Sequence, residues 1–117
     1  MWIYVERIYM SEEQYAVSVE KKIGEIKNGD LKVRFLGVVV EKGDGYIIVE
    51  DNTGRARVYT DEGGLKVKDI VYVIGTILQV IQDEPEISSE AIAVMNGIDL
   101  SLYDQVLDLK RRVKKNP

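Results

Sequence analysis

The chain has 117 residues, 45% of them hydrophobic, with 16 Lys and Arg against 20 Asp and Glu, and neither cysteine nor histidine. This suits one small domain with a packed core and room for a single appended element, and it argues against disorder. Disulfides, thiol or imidazole catalysis and a structural zinc site of Cys and His ligands are excluded.

Charge is unevenly placed. Residues 1–109 hold 11 bases against 20 acids, a net of −9, whereas Lys110-Arg-Arg-Val-Lys-Lys115 holds five bases. Such a body repels a polyphosphate unless its cations are focused in one groove. The opening Met1-Trp-Ile-Tyr-Val-Glu-Arg7 is apolar for four residues after the methionine and then charged. That is too short for a signal-peptide core or a membrane span, so no membrane contact is expected. The absence of cysteine fits an intracellular protein.

Residues 1–18 form an arm without sustained periodicity, carrying Trp2, Tyr4, Tyr9 and Tyr15. An edge strand, a short helix from Ser11 and a mobile arm are all compatible with it. A barrel domain is expected over residues 19–97. Residues 21–31 read as a turn whose Ile23 and Ile26 plug the barrel bottom, released by Asn28-Gly29. The first strand, Val33–Val40, places Val33, Phe35, Gly37 and Val39 on one side and Arg34, Leu36, Val38 and Val40 on the other. Apolar on both sides in its second half, it reads as a strand that bends at Gly37 and serves two sheets.

Lys42-Gly-Asp-Gly45 makes a hairpin into the second strand, Tyr46–Glu50. Asp51-Asn-Thr-Gly54 turns into the third strand, Arg55–Thr60, with Asp51 bonding the local backbone and Gly54 in the left-handed region. A short link leads to a fourth strand from Asp69 to Ile81, in which Tyr72 reads as core. Gln82-Asp-Glu-Pro-Glu86 is expected as an acidic turn before a fifth strand, Ile87–Met95. The segment 98–117 holds a helix over residues 99–115, with Ser101 and Asp104 as its capping pair. Leu102, Val106, Leu109 and Val113 recur at spacings of 4, 3 and 4, a heptad seam widened by Tyr103 and Leu107.

Strand alternation yields a candidate nucleic-acid face. With Ile47, Val49, Ala56 and Val58 inward, Tyr46, Ile48, Glu50, Arg55, Arg57 and Tyr59 point outward. Tyrosines can stack bases, and Arg34, Arg55 and Arg57 can pair phosphates. Glu50 and the acidic fourth turn oppose strong binding. No phosphate loop, nucleophile elbow or convergent carboxylate set points to catalysis, and no cofactor or metal is expected.

Five strands in this order, followed by one helix, predict an all-β five-stranded oligonucleotide-binding (OB) barrel with an appended C-terminal α-helix. Val19-Glu-Lys-Lys-Ile-Gly-Glu-Ile26, the strand around Gly37, the Asp51–Gly54 turn and Lys66-Val-Lys-Asp-Ile-Val-Tyr-Val-Ile-Gly75 resemble the small subunit of archaeal replication protein A. The trailing helix completes the pattern. The resemblance implies a non-catalytic subunit of a heterotrimer that coats single-stranded DNA in replication, repair and recombination. It also implies assembly through C-terminal helices, with Leu102, Tyr103, Val106, Leu109 and Val113 as the subunit interface and weak DNA contact by the chain alone. The isolated chain could self-associate through the same seam. Two other readings stay open: a stand-alone module for single-stranded DNA or RNA, and an OB-fold adaptor for protein partners.

Overall fold

The computed structural model describes the backbone of residues 2–5, 8–11 and 18–115, and the side chains of residues 18–112. Strands β1 (Trp2–Val5) and β2 (Ile8–Ser11) form an antiparallel hairpin, and β2 lies beside the fifth barrel strand. The arm thus contains an ordered two-stranded unit; a helix beginning after Ser11 would fall outside the described residues.

The barrel is built from β4 (Lys32–Gly43), β5 (Tyr46–Glu50), β6 (Arg55–Tyr59), β7 (Ile70–Ile81) and β8 (Glu84–Val94). Its order is β4-β5-β6-β8-β7, and β7 returns to pair with β4. The sheet therefore closes, with an antiparallel meander, one parallel pairing (β6 with β8) and no open edge at the seam. A two-residue strand, β3 (Val19–Glu20), adds to β4 in parallel.

Strand β4 pairs with β7 over Lys32–Val38 and with β5 over Val38–Gly43, so it belongs to both halves of the barrel. A bulge between Val39 and Glu41 supplies the local bend. Gly37 serves closeness instead: a Cβ there would lie 2.8 Å from the Glu50 carbonyl oxygen.

Alternation fills the interior as the sequence predicts. Val33, Phe35, Val39, Ile47, Val49, Ala56 and Val58 are all buried in one core with residues of β7 and β8. A 3-10 turn, Ile23–Glu25, drives Ile23 and Ile26 into the barrel end. Tyr72 does not join this core. It lies half-buried on the outer face of β7, packed against Ile74, Ala91 and Ala93, because its neighbours Val71 and Val73 take the inward positions.

The turns differ from the sequence reading in two places. Asp51 caps its turn as expected, with Oδ1 accepting from Thr53 N, Thr53 Oγ1 and Gly54 N at 2.7, 2.6 and 3.1 Å. Gly54, however, does not take positive φ; the positive-φ glycines are Gly45 and Gly97. The turn after β7 is only Gln82-Asp83, at φ 51° and 65°, and Ile81 pairs directly with Glu84. Pro85 and Glu86 consequently belong to β8, and the acidic residues sit on a hairpin rather than on a loop.

Helix α1 (Leu100–Lys115) follows the barrel. Its cap is Asp99, not Ser101: the Asp99 Oδ1 accepts from Leu102 N at 3.0 Å. Asp and Ser are equally competent caps, and the one two residues earlier starts the helix.

Candidate nucleic-acid interface

On the outer face of β5 and β6, Tyr46 stands directly opposite Tyr59, Ile48 opposite Arg57 and Glu50 opposite Arg55. The pleat that sends Ala56 and Val58 into the core forces these side chains onto one surface. Ile48 is an exception in character: it points outward and is still only 3% exposed.

The face is organised into pairs. The Arg57 guanidinium carbon lies 4.3 Å from the Tyr46 ring centroid, a cation–π contact between two half-buried side chains. Arg55 donates through Nε and Nη2 to Glu50 Oε2 at 3.0 and 2.7 Å. The Tyr59 hydroxyl donates to Glu86 Oε1 at 3.4 Å, and Gln79 Nε2 donates to the same oxygen at 3.2 Å. Tyr46 donates its hydroxyl to Glu41 Oε2 at 3.3 Å. Arg57, Tyr59, Gln79 and Glu86 thus form one continuous patch across β6, β8 and β7.

Arg34 lies elsewhere. It projects from the part of β4 that pairs with β7, and its Nη1 donates to the carbonyl oxygen and the hydroxyl of Ser18. The structure brings Tyr46, Arg55, Arg57 and Tyr59 together and separates Arg34 from them. Glu86 and Gln79 were missed by sequence reasoning, since Glu86 was assigned to a turn. No local signal marked the true turn, because Gln82-Asp83 holds positive φ at both positions without the Asn-Gly chemistry that usually announces a two-residue hairpin.

A second surface belongs to α1. Tyr103, Leu107 and Arg111 recur every four residues and face the barrel. Tyr103 donates its hydroxyl to Glu20, Leu107 is 5% exposed, and Arg111 is paired with Glu25 at 2.8 Å. Lys22 adds a looser ion pair with Asp104 at 3.6 Å. Burial, then the Glu20 carboxylate, pushes the Tyr103 hydroxyl far above the ordinary tyrosine range. On the opposite side Leu102, Val106 and Leu109 are 55%, 42% and 60% exposed. Tyr103, placed on the seam by sequence, thus contacts its own barrel; the side chain of Val113 lies outside the described residues.

No protein-family model and no curated protein matches the chain. Solved structures do. The telomere capping protein Ten1 from Saccharomyces pombe aligns with TM-score 0.66 at 18% identity, over 81% of this chain and 98% of that one. A chain of replication protein A from U. maydis, bound to single-stranded DNA, aligns with TM-score 0.62 at 15% identity, over 81% and 90%. The second OB-fold domain of replication protein A from Methanococcus maripaludis aligns with TM-score 0.51 at 21% identity, over 69% and 99%. At these identities the likeness establishes the fold, a closed OB barrel with one C-terminal helix.

Proposed function

We propose that the chain is a non-catalytic subunit of a replication-protein-A-like complex that binds single-stranded DNA in replication, repair and recombination inside the cell, and that it joins its partner subunits through α1. The observation that carries this reading is the two-sided helix. One stripe is used on the barrel, while Leu102, Val106 and Leu109 stand in water at heptad spacing. Isolated exposed leucines are ordinary, but an aligned apolar stripe on an ordered helix is the form of a helix–helix interface. The solved structure bound to single-stranded DNA supports the ligand class by analogy of fold. The net charge of −9 over residues 1–109 and the acid partners of Arg55 and Tyr59 fit weak DNA contact by the chain alone.

The test is the triple variant Leu102→Gln, Val106→Gln, Leu109→Gln. We expect the barrel to melt within a few degrees of the parent, because the altered side chains are already solvated. Sedimentation and co-purification should show loss of self-association and of partner subunits. A variant that unfolds while the parent is a monomer would overturn the reading, because the seam would then be packed within the chain.

A second reading, a stand-alone single-strand binder, is favoured by the opposed Tyr46 and Tyr59 and the Arg57 stack. Submicromolar affinity of the isolated chain that survives physiological salt would decide for it.

A further inference from the structure

We infer that the outer face of β6 and β8 selects guanine among unpaired bases, with the Glu86 carboxylate reading the base edge. This rests on the single-strand reading above and names the base that the site prefers. A carboxylate on a face proposed to meet phosphates is a liability, and besides Glu50, which Arg55 neutralises, the fold holds Glu86 there. Glu86 is in register with Arg57 across the parallel β6–β8 pair, and Tyr59 follows two residues later on the same face. Its position is fixed by Gln79 and Tyr59, both donating to Oε1, at 3.2 and 3.4 Å. Among the described residues Oε2 accepts no hydrogen bond, so it is the oxygen offered to a ligand.

An ionised carboxylate only accepts hydrogen bonds, so it repels phosphate and attracts donors. Unpaired bases carry their donors on the edges. Guanine alone presents two adjacent donors on its Watson–Crick edge, N1–H and N2–H, spaced to meet two carboxylate oxygens. Cytosine and adenine set one amino donor beside a ring nitrogen that accepts. Thymine and uracil flank a single N–H with two carbonyl oxygens that repel the carboxylate. Guanine would bond Oε2 and, by displacing the long Tyr59 contact, Oε1. Tyr59, 37% exposed, supplies a flat surface on which that base can lie, beside the Arg57–Tyr46 pair. The acid that weakens general phosphate binding would thereby become the source of selectivity.

The test is fluorescence anisotropy of the full chain at low salt with labelled dT dodecamers carrying isolated dG, dC, dA or dI substitutions. Isolated positions prevent four-stranded assembly. We expect the dG strand to bind about tenfold more tightly than dT, the size of discrimination a two-bond base contact gives. Inosine keeps N1–H and lacks the amino group, so dI should recover only part of the gain. Glu86→Gln should bring dG and dT within about twofold of each other, chiefly by raising dT affinity as a negative charge leaves the face. Equal binding of dG and dT by the parent, dC or dA matching dG, or an undiminished dG preference in E86Q would each overturn the inference alone. Absence of binding to every strand would overturn the single-strand reading and this inference with it.

Discussion

Arg111 and Glu25, 86 residues apart, are joined by a two-pronged ion pair, Nη1 to Oε2 and Nη2 to Oε1, both at 2.8 Å. The pair ties the far half of α1 to the turn that plugs the barrel. Both side chains are partly solvated, 34% and 43% exposed, so Arg111→Gln should cost no more than about 1 kcal/mol.

That pair is more informative as a pH reporter. The Arg111 hydrogen bond, against partial burial and aided by Lys22 N–H, holds Glu25 below its ordinary value of 4.5. Lys21 does the same for Asp30, below 3.8. A depressed carboxylate stabilises the folded state above its unfolded-state pKa and loses that contribution as pH falls through the folded value. The melting temperature should therefore fall as pH drops below about 4.5, and more gently in Arg111→Gln. Parallel acid profiles for the two proteins would show that the pair has no part in it.

Leu107 and Leu109 are two residues apart and should behave oppositely. Leu107 is 5% exposed against the barrel, and Leu109 is 60% exposed. Denaturant melts of the monomer should give Leu107→Ala a loss of about 2 kcal/mol, at the low end for a buried leucine because only one layer covers it. Leu109→Ala should stay within about 0.5 kcal/mol. Equal losses would mean that both stripes are packed within the chain.

Asp51 is the hub of the turn beneath the plug. Besides the three bonds to Oδ1, its Oδ2 accepts from Ile23 N at 2.9 Å, and Gly24 N donates to Thr53 Oγ1 at 2.8 Å. Asp51→Ala leaves several backbone donors without their acceptor and should cost about 2–3 kcal/mol. Amide exchange should accelerate most at Ile23 and Gly54. A uniform loss of protection across the barrel would point instead to general destabilisation.

Gln82 and Asp83 hold positive φ in a two-residue hairpin, a conformation suited to Asn-Gly. Gln82→Asn with Asp83→Gly should stabilise the chain by roughly 0.5–1 kcal/mol. A neutral or lower melting temperature would indicate that the native pair makes compensating contacts.

How much of this was readable in advance follows from what periodicity encodes. The inward positions of β4, β5 and β6 were legible because the alternation of Val33, Phe35, Ile47, Val49, Ala56 and Val58 is a local property. The plug residues Ile23 and Ile26 were legible as well. Tyr72 was not, since alternation separates the two faces without telling which one is covered from outside. The helix shows the same limit. Its apolar pattern was visible, but the division between Tyr103–Leu107–Arg111 and Leu102–Val106–Leu109 depends on the barrel surface, which places Glu20 and Glu25 beneath one stripe. Glu86 was hidden by a turn drawn too long by three residues, and Arg34 by treating all outward residues of a closed barrel as if they shared one side.

The contacts of Tyr103, Leu107 and Arg111 fix more than the position of α1; they fix its rotation about its own axis. Under the proposed assembly, a second helix approaching Leu102, Val106 and Leu109 would meet a preorganised surface, whose ordering was completed during folding rather than on encounter. Association through that stripe would thereby be linked to residues that a partner does not touch. If α1 is the assembly element proposed above, loosening Glu20 or Glu25 would lower affinity at a seam that neither residue touches, and the barrel would be the rigid handle by which that seam is aimed.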